Sequence, residues 1–318
     1  MNSALHIFCE RPRTFKIKLS SSFEPLECKP FYNFILCHCF VYHLMNTASL
    51  NTSTQVSNFS RAALAALLSF ILSVLPQNAL AQMFQPGEVL EYEVSYLGIL
   101  LGTIKMSVDK TDTLRGNNIV KAKANIDTAP GIPFVEFHSI FETWMDASAQ
   151  HSHQFLASSR KSDNTWEYTR YDFLYPQTKI HIEEGTKQTR TKEIDITTPK
   201  RWSDGLSLFF FAREFVKSGR FVNVPTAIMS DTSRTLINFR DVQREAITVP
   251  ASKTPIRTVY FKGEAKWRGI YGLEGNFEGW FSDDDARIPI RAKMKVLVGK
   301  VDINLVRWKR ANWTPPQG

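Results

Sequence analysis

Two histidines one residue apart form the clearest metal-ligand pattern in this sequence. His151 and His153 would project from the same face of a strand, because side chains alternate along a strand. Two imidazoles on one face can bind zinc when a third ligand arrives from another part of the fold. No carboxylate is spaced to join them in sequence. The pattern therefore favours two exposed histidines in a turn region, and we predict no metal site.

The acidic run at residues 283–285 offers carboxylate oxygens, which are ligands for calcium. The run lacks the alternating acids and the glycine of a calcium loop. We expect a hairpin turn with solvated acids, paired with Arg287 and Arg291. The glycines of residues 269–279 match no phosphate-binding loop and precede no helix, so they predict a flexible connection between strands. The sequence indicates no cofactor.

The chain after Gln82 lacks the common catalytic signatures. It has no Gly-x-Ser-x-Gly elbow, no His-Glu-x-x-His pair and no Walker sequence. A dispersed catalytic site would need His138 or His181 beside a carboxylate in a cleft. The sequence therefore favours a protein that is not an enzyme, and an unrecognised hydrolase is the third interpretation of its function.

A segment about sixty residues into the chain has the parts of a secretory signal peptide. Arg61 precedes the apolar residues 62–75, and the small-x-small triplet at residues 79–81 ends just before Gln82. The apolar run is too short to span a bilayer, which takes about 20 residues as a helix. We expect cleavage between Ala81 and Gln82, no stable membrane span afterwards, and a periplasmic mature protein.

An export signal belongs at the start of a chain, so Met45 is the more natural start. We expect residues 1–44 to be a spurious, disordered upstream extension, residues 45–81 the signal peptide, and residues 82–318 a single β-rich domain. The alternative is a real N-terminal region with a second apolar stretch at residues 31–45. All four cysteines lie before Met45, which leaves the mature chain without disulfides or thiolates.

The charge of the predicted mature chain is modest and dispersed. The six basic and three acidic residues before Gln82 leave 33 basic and 28 acidic residues from totals of 39 and 31, a net charge of +5. Clustered lysines and arginines that would follow a phosphate backbone are missing, so nucleic acid is not an expected partner. Ordinary surface charge is the favoured interpretation, with attraction to anionic lipid or polysaccharide as the alternative.

Most of the mature chain has the pattern of short strands. Residues 89–96 alternate polar and apolar side chains, and residues 102–108 follow after a turn flanked by Gly98 and Gly102, which predicts a hairpin. Further β-prone segments follow up to residue 196, separated by Gly, Pro, Asn and Asp. Strands resume after residue 220, and the last two form a hairpin around Gly299.

One helix interrupts this pattern at residues 203–218. Ser203 is its predicted N-cap, Asp204 a stabiliser of its first turn, and Gly219 lies just beyond its end. Apolar residues surround nearly its whole circumference. Such a helix must be enclosed by its own protein or by a ligand.

Three segments of the chain, taken in order, carry a resemblance to a known family. The sequence resembles the bacterial domain-of-unknown-function family 3108 at residues 87–98 with Gly102 and Thr103, at residues 204–207 with Arg213, and at residues 283–289 with Arg291. The resemblance covers nearly all of the mature chain and implies an exported envelope protein without an established activity. It also suggests a curved antiparallel sheet or half-barrel wrapping the apolar helix, as in periplasmic lipoprotein carriers; a β-sandwich is the alternative.

These patterns lead to an expected function. We expect non-enzymatic binding of a lipid or another hydrophobic envelope ligand, in a space lined by four helix residues, Leu206, Phe209, Phe210 and Phe211. Core packing is the plainer role for these residues. Arg213 would be the partner of a buried acid. The alternative function is a structural or interaction module of envelope assembly that binds an envelope protein, and a cavity too small for a ligand would favour it.

Overall fold

The computed structural model describes residues 83–132, 137–269, 274–296 and 299–318. The predicted upstream extension at residues 1–44 and the predicted signal peptide at residues 45–81 lie outside the described residues. The fold described below therefore belongs to the predicted mature chain.

The described chain is mainly β, as the sequence predicts. One large, curved, open sheet holds all fifteen strands in the order β8-β7-β6-β5-β4-β3-β2-β1-β15-β14-β13-β12-β11-β10-β9, and neighbours are antiparallel except β9 and β10. Two separate sheets, as in a sandwich, do not occur among these strands. The strands are β1 Val89–Tyr96, β2 Ile99–Leu114, β3 Asn117–Thr128, β4 His138–Asp146, β5 Ser152–Arg160, β6 Trp166–Leu174, β7 Lys179–Thr186, β8 Arg190–Thr197, β9 Ser203–Asp204, β10 Phe221–Ile228, β11 Asp231–Ile247, β12 Ile256–Arg268, β13 Glu274–Ser282, β14 Pro289–Lys295 and β15 Lys300–Lys309.

Alternation along the strands gives the sheet one buried face. In β3 the side chains of Val120, Ala122 and Ala124 are buried, whereas Lys121 and Lys123 point to the other face. Antiparallel sheets commonly pack one face on a core and leave the other to solvent. The same two-residue period identifies which side chains face the core on the neighbouring strands.

The first hairpin is tighter than the sequence predicts. Tyr96 pairs directly with Ile99, so only Leu97 and Gly98 form the turn. Both have positive φ, 50° and 82°, as a type I′ turn requires. Residues 99–101, expected in the turn, therefore belong to β2.

Where β12 and β13 pair, each strand carries a phenylalanine whose ring covers a glycine of the other strand. A Cβ on Gly263 would lie 2.1 Å from Cζ of Phe277, and one on Gly279 would lie 2.4 Å from Cζ of Phe261. Only glycine fits beneath each ring, as at other close approaches in sheets. Gly279 and Gly275 thus lie within β13 and not in a flexible connection; residues 270–273 of the predicted connection lie outside the described residues.

The helix, α1, spans Ser207–Phe215 and is shorter than predicted. Ser203 is not its N-cap, because Ser203 and Asp204 are extended and pair in parallel with Thr226 and Ala227 of β10. Leu206 occupies the N-cap position instead. Gly219 has a positive φ beyond the helix end, consistent with its predicted place. No helix within the described ranges is long and apolar enough to cross a membrane.

The apolar side chains around α1 belong to two clusters. Leu206 and Phe210 pack in the larger cluster, which includes Leu90, Met106 and Val108. The second cluster holds four side chains near α1 together with residues of β10 to β13; the four are Leu208, Phe211, Ala212 and Val216. This two-sided contact explains why so little of the helix surface is polar.

Candidate functional site

Asp204 forms a buried polar cluster just before α1. Its carboxylate accepts hydrogen bonds from the backbone N–H groups of Leu206 and Ser207, each at 2.8 Å, and from the hydroxyls of Thr143 at 2.5 Å and Ser152 at 2.6 Å. Burial raises the pKa of this carboxyl. The contacts join the start of α1 to β4 and β5.

Arg213 forms a second buried cluster near the other end of α1. Its Nη1 donates to Glu88 Oε1 at 2.6 Å, and its Nη2 donates to the carbonyl oxygens of Met83 at 2.8 Å and Ala286 at 3.0 Å. Arg310 also pairs with Glu88. Glu88 is therefore the buried acid beside Arg213. Both ends of the helix are held by buried polar contacts.

Arg287 and Arg291 do not pair with the acidic run by their side chains, contrary to expectation. Arg287 donates from Nη1 to the carbonyl oxygens of Arg213 and Glu214, where the end of the helix leaves acceptors free. Arg291 donates to Asn304 Oδ1 and to the Thr248 carbonyl. Both guanidinium groups are directed to these oxygen acceptors instead.

The first residue of the acidic run, Asp283, is less solvated than predicted. Asp283 is mostly buried and forms ion pairs with Lys217, Arg244 and Arg257. Burial alone would raise the pKa of Asp283, but the hydrogen bonds and charges of Lys217 and Arg244 hold that pKa below its usual value. The carboxylate joins the end of α1 to two strands of the sheet.

The four helix residues predicted to line a ligand space are packed among neighbouring side chains. Leu206, Phe210 and Phe211 are buried, and Phe209 packs against the larger cluster. The space beside Phe209 and Phe210 has a volume of about 10 Å³. That is about the space that one water molecule requires. Their ligand-lining role stays a prediction.

His151 and His153 lie close together but are not the exposed pair that the sequence favours. Their ring centroids are 5.0 Å apart, and both rings contact Tyr175 edge-on. Asp146 Oδ1 lies 3.3 Å from Nδ1 of His151, and Arg201 approaches its Nε2 to 3.3 Å. Tertiary packing buries these rings and supplies the carboxylate that sequence spacing did not indicate.

Burial dominates the electrostatics of this histidine pair. It lowers the pKa of His153 to about 4, and the neighbouring His151 adds to that shift. Burial also lowers the pKa of His151. Both rings are neutral near pH 7, which suits metal binding, but the Arg201 guanidinium beside Nε2 opposes it.

His138 and His181 each lie beside a carboxylate. His138 Nδ1 is 2.7 Å from Asp127 Oδ1, and His181 Nδ1 is 2.7 Å from Asp195 Oδ1. The first pair lies in an open depression of about 230 Å³. There the strand register forms one row from Asp127 through His138 and Arg160 to Trp166. Both pairs can hold a histidine tautomer for proton transfer.

One metal-like group occurs among the described residues, around His181. Ligand atoms of His181, Glu183 and Glu193 lie within 4.8 Å of one another. Glu183 is already bound by Tyr168, Arg170 and Arg190. A metal would have to displace these partners, so the group is better described as an ion-pair network.

Sequence reasoning missed an exposed apolar turn between β1 and β2. Leu97, Ile99 and Leu100 expose 82%, 61% and 42% of their surface. The run of isoleucine and leucine between Gly98 and Gly102 could have indicated it, but the sequence predicts only a hairpin turn there. We call these three side chains the apolar tip.

Comparison with known families identifies the family of this chain. The family model described as "Protein of unknown function (DUF3108)" matches residues 91–306 and confirms the resemblance that the sequence indicated. The chain matches no curated protein.

The solved structures that are similar to this chain include the following three. A β-barrel-like protein of domain of unknown function DUF1849 from Brucella abortus has a TM-score of 0.46 and 10% identity, covering 71% of this chain and 97% of its own. A protein provisionally described as exported, with a YmcC-like fold, from Bacteroides fragilis has a TM-score of 0.31 and 11% identity, covering 72% of this chain and 100% of its own. A protein provisionally described as a lipoprotein, from Parabacteroides distasonis, has a TM-score of 0.30 and 13% identity, covering 71% of this chain and 96% of its own.

Proposed function

We propose a function for this chain from the premise that it belongs to the DUF3108 family of proteins of unknown function. It is an exported, non-enzymatic protein of the cell envelope that binds its partner at the surface. In this proposal the described residues around α1 pack as a core, and the space beside Phe209 and Phe210 is too small to hold a ligand.

The observation that carries this proposal is the filled space around the helix. The space beside Phe209 and Phe210 is about 10 Å³, whereas pockets for small molecules measure roughly 300–1,000 Å³. An acyl chain there would have to displace Phe210. Asp204 and Arg213 oppose such a movement, because each holds one end of α1 through buried hydrogen bonds.

The hydrophobic envelope ligand remains part of the proposal, but its contact is external. The space beside α1 is filled, whereas the apolar tip exposes three apolar side chains that a ligand can contact. Contiguous exposed apolar surface on a soluble domain commonly marks an interaction site. Export is supported by the signal-peptide pattern of residues 61–81.

Native mass spectrometry with lipid extraction tests the proposal, on protein produced from the Met45 start and recovered from the periplasm. We expect the mass of a chain beginning at Gln82, with no acyl species retained after detergent-free purification. A stoichiometric acyl species would contradict the filled core and support a carrier. An uncleaved mass would contradict export.

A second candidate function is acid–base catalysis at the His138 and Asp127 pair. It is favoured by the 2.7 Å contact and by the open depression around it. A panel of chromogenic esters and glycosides, assayed with the unmodified chain and with His138→Gln, tests it. Turnover that disappears in His138→Gln would establish this candidate over the binding function; turnover equal in both proteins would exclude it.

A further inference from the structure

The apolar tip combines three exposed side chains at one narrow turn. Leu97 lies in the turn itself, and Ile99 and Leu100 follow on β2. We infer that this turn inserts into the surface of a lipid bilayer that carries anionic headgroups. The inference rests on the proposed function, because it names the partner of the surface contact.

Folding does not explain the residue at position 97. Leu97 has a φ of 50°, a left-handed conformation that favours Asn, Asp or Gly in a type I′ turn. A leucine there accepts backbone strain. It gains no compensating burial, because 82% of its surface is exposed. Burial of the Leu97 side chain in a partner explains both the left-handed conformation of a leucine and its exposure in the free protein.

The length of the apolar tip matches the depth of the bilayer interface. Tyr96 pairs with Ile99, and Ser95 pairs with Leu100, so the apolar side chains occupy the turn and the two outermost residue pairs. At roughly 3.3 Å per residue these pairs span about 7 Å. Interfacial segments bury their apolar side chains to a depth of about 5–10 Å.

Tyrosine and lysine lie next to the apolar tip. The ring of Tyr96 faces Gly299, whose Cβ position would be 3.2 Å from the ring. On the neighbouring strands Lys295 and Lys300 pair directly, which places like charges opposite each other. Lys300 also contacts Glu278 at 3.0 Å, which offsets part of this charge. Tyrosine suits the interfacial layer, and lysine suits anionic headgroups.

The size of the apolar tip distinguishes a bilayer from a folded protein as its partner. Each side of a specific protein interface buries about 800 Å² in roughly 20 to 30 residues. Three side chains on one turn supply much less surface than that. A bilayer needs only insertion of the turn itself.

Vesicle flotation with the full chain tests this inference. The vesicles contain phosphatidylcholine alone or with about one third phosphatidylglycerol. The test variant combines Leu97→Asn, Ile99→Thr and Leu100→Thr, which suit the turn and the strand. The control is Arg115→Asn in the turn at the opposite end of β2.

We expect flotation of the unmodified chain with anionic vesicles, and at least about tenfold weaker partitioning of the triple variant at a melting temperature that is not lowered. Arg115→Asn should float like the unmodified chain. No flotation of the unmodified chain, or equal flotation of the triple variant, would overturn the inference. Cross-linking from position 97 to a specific envelope protein, without vesicle binding, would overturn it while leaving the proposed surface function intact.

Discussion

The two ends of β2 carry turns of the same backbone geometry but opposite chemistry. Leu97 and Gly98 have φ values of 50° and 82°, and Arg115 and Gly116 have values of 50° and 78°. Arg115 forms an ion pair with Asp172, whereas Leu97 is exposed. Backbone twist fixes the turn type in both hairpins. An ion pair therefore accounts for Arg115 at the first turn position, whereas burial within the fold does not account for Leu97.

The end of β2 that carries Arg115 belongs to a polar network of the fold. Asp172 also accepts hydrogen bonds from Gln154 at 2.8 Å and Arg170 at 3.1 Å. Arg115 additionally approaches the carbonyl of His153 at 3.5 Å. A 16-residue strand spans roughly 50 Å along its path, so the apolar tip lies far from this network along the strand. The polar end serves stability, and we propose that the apolar end serves a partner.

The largest expected effect comes from the core, where Phe210→Ala should lower the free energy of unfolding by about 3–5 kcal/mol. The Phe210 ring packs edge-on against Phe84 at 5.5 Å, and its loss leaves a cavity. Urea denaturation measures the change. Leu100→Ala, on the exposed side chain, is the control and should change stability little.

Measurement of extractable lipid distinguishes a core-packing role of Phe210 from a ligand-lining role. We expect Phe210→Ala to lose stability without any change in extractable lipid. Loss of a bound acyl species in this variant would instead assign Phe210 to a ligand site, and the contrast between a closed core and an apolar tip would fail.

Acid should weaken the polar end through His153. Its pKa is about 4 in the folded chain and about 6.5 when unfolded, so the unfolded state takes up the proton first. Stability from the neutral ring is complete above pH 6.5 and is lost as the pH falls to 4, by up to about 3 kcal/mol. Chemical denaturation across this range measures it. The His153→Gln variant should lack that part of the dependence of the unfolding free energy on pH. An unchanged dependence in this variant would contradict a buried neutral ring at His153.

The ion pair of the polar turn should contribute less to the free energy of unfolding than the neutral ring of His153 does. Arg115→Asn keeps a residue that suits the left-handed conformation but removes the ion pair with Asp172. Because Arg115 is partly exposed, we expect a loss of only about 1 kcal/mol. Thermal unfolding measures it. A gain in stability would show that the ion pair does not support this end.

Substitution in the apolar turn should raise stability, whereas substitution in the polar turn lowers it. Leu97→Asn relieves the left-handed conformation and removes an exposed apolar side chain, so we expect a gain of about 0.5 kcal/mol. The same thermal measurement, run beside Arg115→Asn, compares the two turns. Destabilisation by about 1 kcal/mol or more would show that Leu97 packs within the fold.

Local patterns predicted much of the fold but little of the site. Alternation identified the strands around residues 89–96, and the all-round apolar character of the helix indicated that it packs against apolar side chains on more than one side. Ser203 was misassigned because its pairing with β10 is a long-range contact that no local signal carries. The cluster of His151 with Asp146 and Tyr175 likewise depends on tertiary packing.

The apolar tip was missed for a different reason. Type I′ turns are usually identified by Asn-Gly or Asp-Gly, and Leu97 breaks that preference. A run between Gly98 and Gly102 therefore suggests a loop, while the backbone continues as strand from Ile99. The position where local preference fails is the position that we assign to binding.

Hydrogen–deuterium exchange, with and without anionic vesicles, compares the two ends of β2 most directly. We expect slower exchange of backbone amides at residues 96–101 when vesicles are present, and unchanged exchange at residues 113–118. Equal protection at both turns, or protection only around Arg115, would contradict a binding role confined to the apolar tip.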